Sequence, residues 1–77
     1  MSTKVVLPKS GMGIDEGTVS RWLKAVGEHV EKGEPIVEIE TAKAMQEVEA
    51  PVSGKLIRIF LAEGESAAVN TEIAEIE

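Results

Sequence analysis

The chain is short of the residues that most often carry chemistry. It has no cysteine and no tyrosine, and a single histidine, tryptophan and phenylalanine among 77 residues. Without cysteine there is no disulfide framework, thiolate zinc site or cysteine nucleophile. No apolar run approaches the ~20 residues of a membrane helix, and the first residues lack the apolar stretch of a signal peptide. These absences fit a cytosolic protein without a membrane partner.

The size and charge of the chain exclude further classes of function. A chain of 77 residues predicts one domain, residues 1–77, with little room for a deep active-site cavity. The formal net charge is −6, and no basic stripe is available to displace phosphate counterions, which argues against a nucleic-acid partner. No nucleophile–base pair, metal cluster or paired-acid cleft can be assembled from this composition. We therefore expect a non-catalytic carrier or binding domain, monomeric in isolation.

The chain is an internal duplication. Residues 17–40 match residues 54–77 without a gap at an offset of 37 positions. The identical matches include Gly17 with Gly54, Arg21 with Arg58, Gly27-Glu28 with Gly64-Glu65, and Glu38-Ile39-Glu40 with Glu75-Ile76-Glu77. Repetition at a fixed spacing predicts two copies of one supersecondary unit.

Short alternating segments separated by turn residues predict an all-β fold. The predicted strands cover Lys4–Leu7, Thr18–Leu23, Ile36–Glu40, Met45–Ala50, Lys55–Leu61 and Glu72–Ile76. We expect about seven or eight short strands in total, with frequent turns. Asn70 replaces Gly33 in the second copy, which predicts a left-handed backbone conformation there. The expected architecture is a flattened β-barrel or sandwich of two small antiparallel sheets with a quasi-two-fold repeat. The predicted core is Val19, Leu23, Val37, Ile39, Val48, Leu56, Ile59, Ile73 and Ile76.

One lysine, Lys43, lies between two alternating segments, Ile36–Glu40 and Met45–Ala50. The pattern is typical of a β-hairpin, with one long nucleophilic side chain at a tip of small residues. The glutamates of both segments should face outwards, and Gln46 should pair with Ile39 if the turn has two residues. By the repeat symmetry, the chain ends should lie at the opposite end of the molecule from Lys43. A solvated turn lysine is the generic alternative.

These residues resemble the lipoyl domain of 2-oxo acid dehydrogenase complexes, and the resemblance covers essentially the whole chain. It is carried by Leu7-Pro8-Lys9-Ser10-Gly11-Met12, Glu16-Gly17-Thr18-Val19, Gly27-Glu28-His29-Val30-Glu31-Lys32-Gly33, Glu38-Ile39-Glu40-Thr41-Ala42-Lys43-Ala44 and Val48-Glu49-Ala50-Pro51. Ala42 is a departure, since the family usually has Asp there.

The resemblance implies a carrier function. Lipoic acid would be amide-linked to Lys43 by a lipoate ligase or lipoyl transferase. It would be reductively acylated by a thiamine-diphosphate-dependent decarboxylase, pass the acyl group to coenzyme A at an acyltransferase core, and be reoxidised by a dihydrolipoyl dehydrogenase. Cofactors of this kind do the chemistry while the protein positions them. A cytoplasmic, bacterial location is expected, with the mitochondrial matrix as the alternative, and the chain is expected to be cut from a longer acyltransferase.

The resemblance also implies recognition residues around the lysine: Glu40, Thr41, Ala42, Ala44, Gly11 and Met12. Two other readings stay open. A biotin carboxyl carrier-type domain shares the fold and the lysine hairpin, but that family flanks its lysine with methionine on both sides. An unmodified interaction module of the same fold would not need Lys43. Of the rarer residues, Trp22 is expected in a core or half-buried position, and His29 at a surface turn without a partner that could orient it as a base.

Overall fold

The computed structural model describes residues 2–8, 15–42 and 44–77. Eight strands lie in these ranges: β1 (Thr3–Val6), β2 (Glu16–Trp22), β3 (His29–Val30), β4 (Pro35–Glu40), β5 (Met45–Glu49), β6 (Gly54–Ile59), β7 (Ser66–Ala68) and β8 (Glu72–Ile76). The first sheet has the order β1-β8-β6-β3 and the second the order β5-β4-β2-β7, with every pairing antiparallel. The predicted all-β fold of two small antiparallel sheets is confirmed. The described part of the chain has no helix that could span a membrane.

The two sheets are built from equivalent strands. The β2–β4–β5 pairings of the second sheet correspond to the β6–β8–β1 pairings of the first, and each sheet is completed by the short strand of the other repeat, β7 or β3. Matching hydrogen bonds recur. Leu23 N–H donates to the Ile36 carbonyl at 2.8 Å, and Phe60 N–H, 37 positions later, donates to the Ile73 carbonyl at 2.8 Å. The exchange of β3 and β7 joins the halves into one folding unit.

The tight turns follow the same symmetry. Gly33 has φ of 88° and Asn70 has φ of 69°. Gly33 N–H donates to the Ala50 carbonyl at 2.9 Å, and Asn70 N–H donates to the Leu7 carbonyl at 2.7 Å. The predicted left-handed conformation of Asn70 is therefore confirmed, and asparagine is one of the few side chains that adopt it at low cost.

Bulges occur at matching positions of the long strands. In β2, Val19 pairs with Ile39 and Arg21 with Glu38, so Ser20 is an extra residue. In β6, Ile57 is the corresponding extra residue between Leu56 and Arg58. A bulge shifts which side chains face inwards by one position. The alternation read from the sequence is therefore interrupted in the middle of both strands.

The core lies between the two sheets. It contains Val5, Leu7, Val19, Val30, Ile36, Val37, Ile39, Val48, Ala50, Leu56, Ile73, Ala74 and Ile76. Seven of the nine predicted core residues are among them. Leu23 and Ile59 are corrections, since both are only half-buried. The Ser20 bulge is the reason for Leu23, because beyond it Trp22 takes the inward position opposite Val37 and packs against the core.

Trp22 also bridges the repeats through polar contacts. Its indole Nε1 donates to the Leu61 carbonyl at 2.8 Å, and its backbone N–H donates to a carboxylate oxygen of Glu63 at 3.0 Å. These bonds tie the end of β2 to the turn between β6 and β7. The expectation of a half-buried Trp22 is confirmed.

Candidate functional site

The β4–β5 hairpin places position 43 between two well-paired strands. Glu40 pairs with Met45 and Ile39 with Gln46, as expected for a turn of two residues. Thr41 N–H donates to the Ala44 carbonyl at 2.9 Å, which leaves two residues between the paired ones. Lys43 itself lies outside the described residues. The structure thus defines the base of the hairpin on both sides of it.

The side chain of Thr41 reinforces that closure. Its hydroxyl donates to the Ala44 carbonyl at 2.9 Å and lies 3.3 Å from the Ala44 N–H, from which it accepts. Ala42 and Ala44 are both exposed, and each ends at a methyl group. The two described residues next to position 43 therefore have small, exposed side chains.

A glycine in β2 allows the hairpin strand β4 to lie close to it. A β-carbon on Gly17 would lie 2.7 Å from Ile39 Cγ2 and 3.5 Å from the Glu40 carbonyl oxygen. Only glycine leaves room for this approach without a shift of the Ile39 side chain or of the strands. Gly54, the repeat partner of Gly17, meets Ile76 and Glu77 in the same way in the first sheet. Repetition of glycine at both positions was visible in the sequence, but its close-packing role was not.

An open cleft of about 360 Å³ lies beside the hairpin. It is lined by Asp15, Glu16, Gly17, Thr18, Glu40, Thr41 and Ala42. Three of the predicted recognition residues (Glu40, Thr41 and Ala42) thus share one surface with the start of β2. Sequence reasoning did not include Asp15 or Thr18 in the site, because no local pattern shows that they lie beside residues 22 or more positions away.

Two further predicted recognition residues, Gly11 and Met12, lie outside the described residues. Asp15, the first described residue after them, lines the cleft together with Ala42. Its carbonyl accepts a hydrogen bond from Val69 N–H at 2.9 Å, which fixes the start of β2 against the end of β7. A role for Gly11 and Met12 in recognition stays a prediction.

The outward face of the second sheet is acidic. Glu38 is directly opposite Glu47 in the register of β4 and β5, and both point away from buried neighbours. Arg21 Nε approaches Glu38 at 4.0 Å, a distance that gives a weak, solvent-exposed ion pair. In the first sheet, Glu75 has two cations, Lys4 at 3.9 Å and Arg58 at 3.5 Å. The face that bears the hairpin is therefore the more negative one.

A second polar cluster joins His29, Glu31 and Ser53. His29 Nε2 lies 3.1 Å from Glu31 Oε1, and the Ser53 hydroxyl donates to Glu31 Oε2 at 2.9 Å. His29 therefore does have a carboxylate partner, which corrects the expectation that none was nearby. The Glu31 carboxylate lies between the other two groups, so the Ser53 hydroxyl is bonded to the carboxylate and not to the imidazole. A catalytic triad needs a hydrogen bond from the serine hydroxyl to the imidazole, which takes up the hydroxyl proton. All three residues are exposed.

The pKa values of two carboxylates, one in this cluster and one beside it, are lowered from their ordinary value. The hydrogen bond from Ser53, followed by the His29 contacts, lowers the pKa of Glu31. The backbone N–H of Glu31 donates to Glu34 at 3.1 Å and, with Lys24, lowers the pKa of Glu34. No group of three or more histidine or acidic side chains in the described ranges could hold a metal ion.

Residues 3–76 match the model of the Biotin_lipoyl family, described as "Biotin-requiring enzyme". The chain is 49% identical over 76 residues to the dihydrolipoyllysine-residue acetyltransferase component of the acetoin cleaving system of Bacillus subtilis (strain 168), covering 99% of this chain and 19% of that protein. It is 42% identical over 77 residues to the dihydrolipoyllysine-residue succinyltransferase component of the 2-oxoglutarate dehydrogenase complex of Bartonella vinsonii subsp. berkhoffii, covering 100% of this chain and 19% of that protein.

A solved structure agrees with these matches. The solution structure of the lipoyl domain of the 2-oxoglutarate dehydrogenase complex from Azotobacter vinelandii superposes with a TM-score of 0.73 at 31% identity, covering 95% of both chains. The chain spans about a fifth of the length of the two curated relatives above.

Proposed function

Because the chain belongs to the Biotin_lipoyl family, we propose that it is a lipoyl carrier domain with Lys43 as the lipoate attachment residue. The observation that carries this proposal is the two-residue hairpin closed by Thr41 and Ala44, with exposed alanines on either side of position 43. Its relatives named above are dihydrolipoyllysine acyltransferase components, and its structural neighbour is a lipoyl domain.

Attachment is an acyl transfer to the lysine side chain. The Lys43 side-chain nitrogen would be the acyl acceptor, and an activated lipoate carboxyl group would supply the acyl group. A carbon–nitrogen amide bond would form, the bond from the carbonyl carbon to the activating group would break, and the lysine ammonium nitrogen would release two protons. The contribution of the chain is to present the attachment residue, since β4 and β5 extend from the turn on both sides. When attached, the lipoyl group supplies a disulfide that can accept an acyl group and electrons.

The residues around the tip fit a tethered group better than a buried one. Ala42 and Ala44 leave the vicinity of position 43 uncrowded. The cleft beside the hairpin carries three carboxylates, from Asp15, Glu16 and Glu40, and an apolar dithiolane gains nothing by entering such a surface. The domain therefore keeps its cofactor available to other active sites. Tethering of this kind raises the effective concentration at each site, to about millimolar for short flexible links.

The partners follow from this role. We infer a lipoate ligase or lipoyl transferase for attachment and a thiamine-diphosphate-dependent decarboxylase as acyl donor. An acyltransferase core accepts the acyl group, and a dihydrolipoyl dehydrogenase reoxidises the carrier. The curated relatives serve acetoin, 2-oxoglutarate and pyruvate systems, so the proposal names the class of complex and not the acid. The domain itself catalyses none of these steps.

Mass spectrometry tests the attachment site. The wild type, Lys43→Arg and Lys32→Arg are each co-expressed with a lipoate ligase and, separately, with a biotin ligase. Lys32 is the matched control because it is also an exposed lysine in a tight turn. We expect one lipoyl increment in the wild type and in Lys32→Arg, and none in Lys43→Arg.

The other outcomes contradict the proposal in distinguishable ways. A biotinyl increment at Lys43 with no lipoyl increment would identify a biotin carrier. Absence of any increment in a folded wild type would favour an unmodified interaction module. A lipoyl increment that survives in Lys43→Arg would place the attachment on another lysine.

A further inference from the structure

The hydroxyl of Thr41 makes two contacts with one residue across the hairpin. It donates to the Ala44 carbonyl at 2.9 Å and accepts from the Ala44 N–H at 3.3 Å. The Thr41 backbone N–H donates to the same carbonyl at 2.9 Å. A single side chain thus holds both polar groups of the backbone of Ala44, and we call this arrangement the Thr41 clamp.

The clamp is well suited to rigidity. Threonine is branched at its β-carbon, so its χ1 angle is restricted and its hydroxyl direction is set by the backbone. Thr41 is half-buried, lines the cleft together with Gly17 and Glu40, and directly follows β4, which pairs with β2. Ala42 and Ala44, in contrast, are exposed and make no side-chain polar contacts because alanine has none to offer. Among these three tip residues, only Thr41 has a side chain that can hold the backbone in place.

Rigidity at the tip affects the enzyme that must read it. If the hairpin is competent for modification only part of the time, the apparent affinity of the enzyme falls in proportion to that fraction. The loss of ordinary hydrogen bonds from a partly exposed turn lowers the equilibrium constant for the competent arrangement severalfold. The competent fraction of the molecules falls with it.

We propose that Thr41 is the positioning residue of the modified hairpin, and that its hydroxyl keeps the backbone on the far side of Lys43 in the one arrangement that the lipoate-attaching enzyme accepts. Thr41 itself takes no part in bond making. This inference rests on the proposed function, since it assigns Lys43 as the acceptor. It goes further by giving the residue two positions earlier a role that depends on its hydroxyl.

The test uses three substitutions of Thr41 and one control. Thr41→Val keeps the shape and β-branching but removes the hydroxyl, Thr41→Ala is a second deletion in case the valine variant does not fold, and Thr41→Ser restores the hydroxyl. Ser53→Ala is the control because the Ser53 hydroxyl also holds a backbone N–H, that of Lys32 at 2.9 Å, in a turn outside this hairpin. Initial rates of lipoylation are measured over a range of domain concentrations, and exchange of the Ala44 amide proton is followed by NMR.

We expect KM for the domain to rise about five- to tenfold in Thr41→Val with kcat nearly unchanged, because fewer molecules are competent at any moment. Ala44 amide exchange should accelerate by a similar factor, and Thr41→Ser should restore both values. Ser53→Ala should leave both unchanged.

Two results would overturn the inference. One is faster Ala44 exchange in Thr41→Val with an unaltered KM, since the clamp would then exist without serving modification. The other is a raised KM that Thr41→Ser fails to restore, since the methyl group and not the hydroxyl would then be responsible. Failure of the proposed function gives a different result, namely wild-type protein that acquires no lipoyl group at Lys43.

Discussion

Gly17 and Ile39 approach so closely that a β-carbon on the glycine would lie 2.7 Å from Ile39 Cγ2. That distance is shorter than non-bonded carbon atoms tolerate, so the Ile39 side chain or one of the two strands must shift to accommodate a larger residue. In the β4–β5 hairpin, the pair of Ile39 with Gln46 is followed by only one more pair, Glu40 with Met45, before the turn of the candidate site. Packing in the sheet and geometry at the tip are therefore coupled through this glycine.

Gly17→Ala should destabilise the domain by about 1–3 kcal/mol, as overpacking of a well-filled core does. Urea unfolding followed by circular dichroism measures this change. Ser20→Ala, an exposed position on the same strand, serves as the control and should alter stability by less than about 0.5 kcal/mol. Equal stability of Gly17→Ala and the wild type would mean that the strands separate at no cost.

The positive φ of Asn70 predicts an unusual order of tolerance. Asn70→Gly should be neutral or slightly stabilising, whereas Asn70→Val should cost about 1–2 kcal/mol, since a β-branched residue is strained in this region. Thermal unfolding of both variants tests the order. The idea fails if valine proves as well tolerated as glycine.

The bulge in β2 predicts unequal roles for two leucines. Leu56→Ala should cost about 2–5 kcal/mol, because it leaves a cavity at a fully buried position. Leu23→Ala should cost about 1 kcal/mol or less, because that side chain is only half-buried beyond the bulge. The comparison is matched in chemistry and differs in burial. A similar loss for both in denaturant unfolding would contradict the described register.

Glu31 should contribute a pH-dependent part of the stability. Its folded-state pKa is lowered, chiefly by the hydrogen bond from Ser53. A lowered pKa means that the stabilisation is present above the unfolded-state pKa and is lost as pH falls through the folded-state pKa. The wild type should therefore be more stable than Glu31→Gln at about pH 7, and the difference should shrink by about pH 3. Denaturant midpoints at the two pH values measure it.

Ser53→Ala provides the companion test of that mechanism. Removing the hydroxyl should bring the pKa of Glu31 back towards its ordinary value, so the difference between wild type and Glu31→Gln should be smaller in this background. NMR titration of the Glu31 carboxyl group reports the same change directly. An unchanged titration curve would assign the lowered pKa to His29 instead.

Much of the fold was predictable from local patterns. Alternation located the long strands, and the replacement of Gly33 by Asn70 predicted the left-handed turn. The bulges at Ser20 and Ile57 could not be read in this way, since an extra residue changes the inward-facing set without altering composition. That is why Leu23 was predicted in the core but is only half-buried, whereas Trp22 packs against the core.

The candidate site was predictable only in part. The hairpin register, with Ile39 opposite Gln46, follows from counting two turn residues. Lys43 was singled out by its place at the tip and by a family resemblance. The cleft was not foreseen, because it depends on the packing of β2 against β4, and neither Asp15 nor Thr18 has a sequence signal that points towards the hairpin.

The position of β8 between β1 and β6 has a consequence for biosynthesis. β1 and its hydrogen-bonding partner β8 lie at opposite ends of the domain sequence, so the first sheet has high contact order and cannot form until β8 has been made. A nascent chain halted before Glu72 would leave the amides of both β1 and β6 without this partner. Cofactor loading that requires the folded domain must then wait until Ile76 has left the ribosome.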